Sequence, residues 1–168
     1  MVSSPASAPS CGRSYVSSRA LFQEHIEEAR RLHLDPCVIA YHLIGLPPLV
    51  ELTRLLFAGL RSDKLRAQTS AISFYQLLTE PYRRGREDLA LQAYKYLSGQ
   101  RGLEIVPVTG AVARQAAEVQ ASLGGTHERS IQIATALRRG VRAYVTDKTA
   151  LRRVAGMEVI SLGDYVQG

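Results

Sequence analysis

Leu32-His33-Leu34-Asp35-Pro36 is a short apolar run that ends in a lone carboxylate, and Ala143-Tyr144-Val145-Thr146-Asp147-Lys148 repeats that form much further along the chain. Each reads as a buried strand with its polar residues at the carboxyl end. Ligands of open α/β sheets bind outside the carboxyl ends of the strands, so chemistry is sought at Asp35 and at Thr146 to Lys148.

Working outward, Pro36 suits the first position of a helix because its fixed φ and missing donor cost nothing there. That helix continues through Val38 to Ile44 and stops at Gly45. Pro47 and Pro48 open a longer helix whose apolar stripe is Leu49, Leu52, Leu55, Leu56 and Leu60. Leu65 to Ala71 reads as a second strand, Ile72 to Tyr82 as a helix interrupted at Pro81, and Glu87 to Leu97 as a helix ending at Gly99. Leu103 to Val108 is a third strand. Thr109 caps a helix through Leu123, Gly124-Gly125 break it, and Thr126 begins the helix Ser130 to Arg139. Arg142 to Val145 and Glu158 to Ser161 supply the fourth and fifth strands. Such alternation predicts an α/β domain with a mostly parallel sheet covered on both faces. Right-handed crossovers would gather Asp35, Ser70 or Ser73, and Thr146 to Lys148 at one edge.

Residues 1–18, rich in Ser, Ala and Pro without a continuous apolar stretch, read as a disordered tail and not a signal peptide. Leu21, Phe22, Ile26, Ala29 and Leu32 recur at helical spacing, so 19–31 reads as an amphipathic helical extension packed on the domain or on a second subunit. With 168 residues, of which 46% are apolar and 21% charged, the chain can bury a sizeable core, and its apolar runs are too short to span a bilayer. Cys11 and Cys37 sit in unmatched contexts, which disfavours a disulfide or a zinc site and suits a reducing cytoplasm. The net charge of +6 attracts phosphate-rich partners. Arg83-Arg84-Gly85-Arg86, Arg138-Arg139 and Arg152-Arg153 are candidate phosphate contacts, although cations are also favoured at helix C-termini.

The blocks LDPCVIAYHL, SAISFYQLLTEPYRRG and THERSIQIATALRRGVRAYVTDKTALRRV, followed by the closing strand EVISL, resemble the PIN-domain family, in particular the VapC-like ribonuclease toxins of toxin and antitoxin pairs. The likeness runs from Arg31 to Val166. It implies a three-layer α/β/α PIN-like domain over 32–168 with a mostly parallel five-stranded sheet. It also implies a metal-dependent endoribonuclease whose carboxylates at the strand ends hold Mg²⁺ or Mn²⁺, hard cations that prefer anionic oxygen.

Carried over by position, the first family acid falls on Asp35, the second on Gln76, the third on Arg129 and the last on Lys148. One carboxylate against two cations repels a divalent metal, so no metal cofactor is expected. The leading expectation is a cleft in which Arg129 and Lys148 pair with Asp35 or take an RNA phosphate. The alternative is an active Mg- or Mn-dependent endoribonuclease in which the shifted acids Glu128 and Asp147 join Asp35, with metal at Asp35 and Asp147. A one-residue shift on a helix turns a side chain by about 100 degrees, which favours Asp147 over Glu128. Glu80 is expected to face solvent.

His33, His42 and His127 lack partners at metal spacing, and Cys37 beside His33 or His42 lacks a readable oxyanion hole, so packing roles are expected for them. Glycine-rich phosphate loops are absent from the sequence. The expectation is a catalytically impaired or inactive PIN-like protein acting as an RNA-binding or protein-interaction module. Its expected partners are RNA, an antitoxin-like or other protein, and a second copy of the chain in a homodimer.

Overall fold

The computed structural model describes residues 17–147, 154 and 156–166. The expected tail over 1–18 lies almost wholly outside them. Five parallel strands form one sheet in the order β3-β2-β1-β4-β5, with β1 at Arg31–Leu34, β2 at Arg66–Ser70, β3 at Leu103–Val106, β4 at Ala143–Thr146 and β5 at Glu158–Ser161. The sheet is therefore wholly parallel where the sequence predicted it mostly so.

Helices α1 (Ser18–Ala29), α2 (Pro36–Ile44) and α3 (Val50–Arg61) cover one face. Helices α6 (Gly110–Leu123) and α7 (His127–Arg138) cover the other, and α4 (Ile72–Arg83) packs with α5 (Glu87–Gly99) beside them. Alternation along the strands divides the core in two. Leu32, Leu34, Ala143 and Val145 join Phe22, Ile26, Val38, Ile39, Leu56 and Phe57 on the first face. Tyr144 turns the other way, toward Val112, Ala116, Ile133 and Ala136.

The helix boundaries follow local chemistry. The Asp35 side chain caps α2, with Pro36 at its first position, and Gly45 ends it in the left-handed region at φ 66°. Thr109 and Thr126 cap α6 and α7 by accepting from Val112 N–H and Arg129 N–H. Gly102 allows the turn into β3 at φ 79°, where an added Cβ would lie 2.6 Å from the Leu60 carbonyl oxygen.

One expectation needs correcting. Pro81 does not interrupt α4, because the helix has only two residues left to run and Arg84 N–H closes its end on the Glu80 carbonyl. Helix α1 packs on the domain, with Phe22, Ile26 and Ala29 buried in the same core as β1. Its end is tied to a one-turn 3₁₀ helix at Leu162–Tyr165 by a 2.5 Å bond between His25 Nδ1 and the Tyr165 hydroxyl.

That packing makes the amino-terminal helix a stability element. Phe22→Ala is expected to cost about 3–5 kcal/mol in urea unfolding, whereas Leu21→Ala, at an exposed position on the same helix, should change stability by less than about 0.5 kcal/mol. Equal small losses at both positions would show that α1 is peripheral.

Candidate functional site

Asp35 stands where β1 ends and α2 begins, and it is only 3% exposed. An isolated carboxylate at that depth would be costly, so its oxygens must be answered. Cys37 N–H donates to Oδ1 at 3.2 Å, and the Tyr144 and Thr146 hydroxyls donate to Oδ2 at 3.1 and 3.2 Å. Those hydroxyls come from β4, which neighbours β1, so the sheet order itself delivers them. Burial, then the charge of Asp35, raises the Tyr144 hydroxyl well above the usual phenol range and keeps it a donor. The same two causes push the Cys37 thiol up to about 12, so it is no nucleophile at neutral pH.

Asp147 lies just beyond β4 and is half-buried. It accepts from the Tyr41 hydroxyl of α2 at 3.0 Å. Burial, then that bond, pushes Tyr41 up to about 12, and the charges of both Asp147 and Asp35 act on it.

Beside Asp35, toward α7, the polar residues are neutral and wired to one another. Gln132 Oε1 accepts from His33 Nε2 at 2.8 Å and from Ser70 N–H at 3.2 Å. Its Nε2 donates to Ser73 Oγ at 2.8 Å and to Gln76 Oε1 at 3.1 Å. The Thr69 hydroxyl donates to the Leu34 carbonyl at 2.8 Å and stands 2.6 Å from Ser73 Oγ. With that hydrogen committed, Ser73 donates to Thr69. Gln68 Nε2 lies 3.4 Å from His33 Nδ1, which assigns the proton of a neutral His33 to Nε2. Full burial lowers His33 to about 4, and its ring stacks on Tyr144 at 5.0 Å.

The expected pairing of Arg129 with Asp35 is not formed, because the hydrogen bonds of Cys37, Tyr144 and Thr146 already answer the acid. Arg129 is half-buried, makes no ion pair among the described residues, and its buried Nε has no partner. Lys148 lies outside the described residues. Glu128, in the first turn of α7, is half-buried, and Glu80 is exposed and paired with Arg83 and Arg84. Among the described residues no group of three or more His, Cys, Asp or Glu side chains stands close enough to hold a metal ion. Asp35, Glu128 and Asp147 are thus not gathered into one ligand set, and Gln76 and Gln132 offer only neutral groups, so the donor set does not fit a dinuclear Mg²⁺ or Mn²⁺ centre.

Sequence reasoning missed Gln132 and Tyr144. Gln132 was readable as the one amide inside the run IQIATAL, and Tyr144 as the polar-tipped residue between two buried aliphatic ones.

This parallel sheet between helical layers, with its acid at the carboxyl end of β1, is a PIN-like fold. The chain is similar to one in the crystal structure of VapBC2 from Rickettsia felis bound to a DNA fragment from their promoter, with a TM-score of 0.62, 12% identity, and coverage of 78% of this chain and 98% of that one. It is also similar to a chain of a toxin-antitoxin complex from Klebsiella pneumoniae, with a TM-score of 0.55, 13% identity, and coverage of 78% and 97%. The likeness is one of fold. No family model and no curated protein matches the chain by sequence.

The buried network carries two measurable consequences. Gln132→Leu strands the Ser70 N–H and His33 Nε2–H, and should lower stability by about 2–4 kcal/mol, whereas Gln76→Ala should cost under about 1 kcal/mol. His33 titrates near 6.5 when unfolded and at about 4 when folded, so its contribution is complete above pH 6.5 and is lost as pH falls toward 4. Stability should drop by about 3 kcal/mol over that window, with the drop flattened in His33→Gln; urea midpoints at a series of pH values measure both.

Proposed function

We propose that this protein is a PIN-like domain that does not cleave RNA by the metal-dependent route and acts as an interaction module for a partner polypeptide. The observation that carries this reading is the donor set around Asp35: the acid is buried and answered by the Cys37 N–H and the Tyr144 and Thr146 hydroxyls, and the network beside it, of Gln132, Ser73 and Gln76, is neutral.

A groove between α2, α4 and α5 supports the partner. It is lined by Ala40, Leu43, Ile44, Leu77, Leu89 and Tyr96, and its inner end reaches Gln76. Ile44 is 69% exposed, unusual for an isoleucine that needs no partner. Glu80, Arg84 and Arg86 form a polar rim, so an amphipathic segment fits, its apolar face inward. Two solved structures of similar fold are toxin-antitoxin complexes, which supports an antitoxin-like protein as the occupant.

One observation favours a second reading. Asp35 caps α2 and Asp147 accepts from Tyr41 of the same helix, so two carboxylates are tied to α2. In that reading Asp35 and Asp147 hold Mg²⁺ or Mn²⁺ in an endoribonuclease without Glu128, and Arg129 contacts the RNA phosphate.

Incubation of RNA with the purified protein in Mg²⁺ or Mn²⁺ separates the two. The first reading expects no cleavage beyond that of Asp35→Asn and no effect of a chelator. Chelator-sensitive cleavage that disappears in Asp35→Asn and in Asp147→Asn selects the ribonuclease. Copurification with the polypeptide encoded beside this protein tests the groove, and Ile44→Asp should weaken that association by about tenfold or more.

A further inference from the structure

Parallel strands place all their first residues along a single edge, here the edge opposite Asp35. Arg31 and Arg66 open β1 and β2 and stand side by side in register. Arg142 immediately precedes β4, and its N–H donates to the Arg31 carbonyl, so the row continues across a third strand. All three side chains are exposed. Neighbouring strands lie about 4.8 Å apart, so three guanidinium stems emerge along about 10 Å of edge.

More cations flank the row. Arg30 ends α1 and its carbonyl accepts from Arg66 N–H, while Lys64 and Arg101 lead into β2 and β3. Arg138 and Arg139 close α7 just before β4. The acids at these strand starts are Asp63, Glu104 and Glu158. Asp63 is shared by Arg66 and Arg101, and Glu104 is taken by Arg139. Arg30, Arg31, Lys64, Arg138 and Arg142 make no ion pair among the described residues.

Helix dipoles account for part of this. Arg30, Arg138 and Arg139 stand at helix C-termini, where cations are favoured. Arg31, Arg66 and Arg142 belong to strand starts, and like charges opposite one another on adjacent strands are destabilising. Asp63 answers Arg66, while Arg31 and Arg142 beside it have no ion-pair partner among the described residues and leave room for an anion from outside.

We propose that this edge binds the phosphate backbone of a duplex nucleic acid. The residues at the strand starts include no aromatic ring, so nothing there can stack on unpaired bases, as single-strand sites require. A duplex presents its phosphates outward at regular intervals and hides its bases. The depression between Arg31, Arg66, Gly102 and Glu104 is shallow and open, suited to backbone contact and not to reading base edges. The surface is separate from the Asp35 site and from the groove beside α2, and it acts whether or not the protein cleaves RNA or holds a partner there.

Fluorescence anisotropy of the full chain tests it, with labelled duplex DNA, duplex RNA and single strands of one sequence about 16 bases long. The expected result is tighter binding of a duplex than of either single strand, with the two duplex arms showing which backbone is preferred. Affinity should fall steeply with salt. Replacing Arg31 and Arg142 together by Gln should weaken binding by about tenfold or more and reduce the salt slope by about 2, since each phosphate contact contributes about 0.9. The double Lys variant, which keeps the charge, should retain most of the affinity. Arg114→Gln, on the exposed face of α6, should leave it unchanged. No binding of either duplex, tighter binding of single strands, or a double Gln variant that is folded by circular dichroism yet binds as the unchanged protein does would overturn the proposal.

Discussion

A carboxylate buried at the end of the first strand has to be answered by the fold, and the way Asp35 is answered ties three elements together. Its Oδ1 caps α2 through Cys37 N–H, while its Oδ2 takes hydroxyls from two residues of β4. The cap fixes where α2 begins, and the hydroxyls require β4 to lie directly beside β1, as the register Leu32 with Ala143 and Leu34 with Val145 provides. A bond to a charged group is worth about 1.5–3 kcal/mol, and losing one here leaves charge uncompensated in the interior. The acid is therefore structural before it is anything else. Any chemistry assigned to Asp35 has to be reached by undoing bonds that hold the sheet to α2.

The same logic governs the neighbouring layer. Gln132 brings an acceptor and a donor into a narrow space between β1, β2 and α4, and each is used twice. Carboxylates in those positions would repel one another and Asp35 unless cations stood among them. An amide has the hydrogen-bonding capacity of a carboxyl group without the charge, so the pocket closes with its polar atoms satisfied. A neutral His33 fits the same scheme, since its ring stacks on Tyr144 and donates to Gln132 while burial keeps the second proton off.

The positions of the strands along the chain and several helix limits were legible in the sequence because their signals are local. Asp35-Pro36, Thr109, Thr126 and Gly45 mark helix ends by capping and by backbone conformation, and α2, α6 and α7 begin or end at them. Pro81 misled because a proline near the last turn removes only one hydrogen bond, a cost that tertiary packing absorbs. The site was legible in position and not in content. Charge bookkeeping by position paired Asp35 with Arg129, since opposite charges are the obvious match on paper. In three dimensions hydroxyls arrive first: Tyr144 and Thr146 are two residues apart on one strand, a spacing that turns both toward the same face. Arg129 is left with a buried Nε that has no partner, and no linear pattern announces such an atom.

A wholly parallel sheet is polar in a sense that a mixed one is not, since every strand starts on one edge and finishes on the other. Here the finishing edge carries Asp35 and Asp147 among hydroxyls and amides, while the starting edge carries a row of guanidinium groups. The two edges are one strand length apart, about 13–17 Å for strands of this size, which exceeds the screening length of about 8 Å at physiological ionic strength. Each edge therefore presents its own field to solvent. Among the described residues, the exposed Arg31, Arg66 and Arg142 gather at the strand starts, at the edge opposite the buried acid. Strand direction thus decides at which edge an anionic partner meets the guanidinium row and not the buried Asp35.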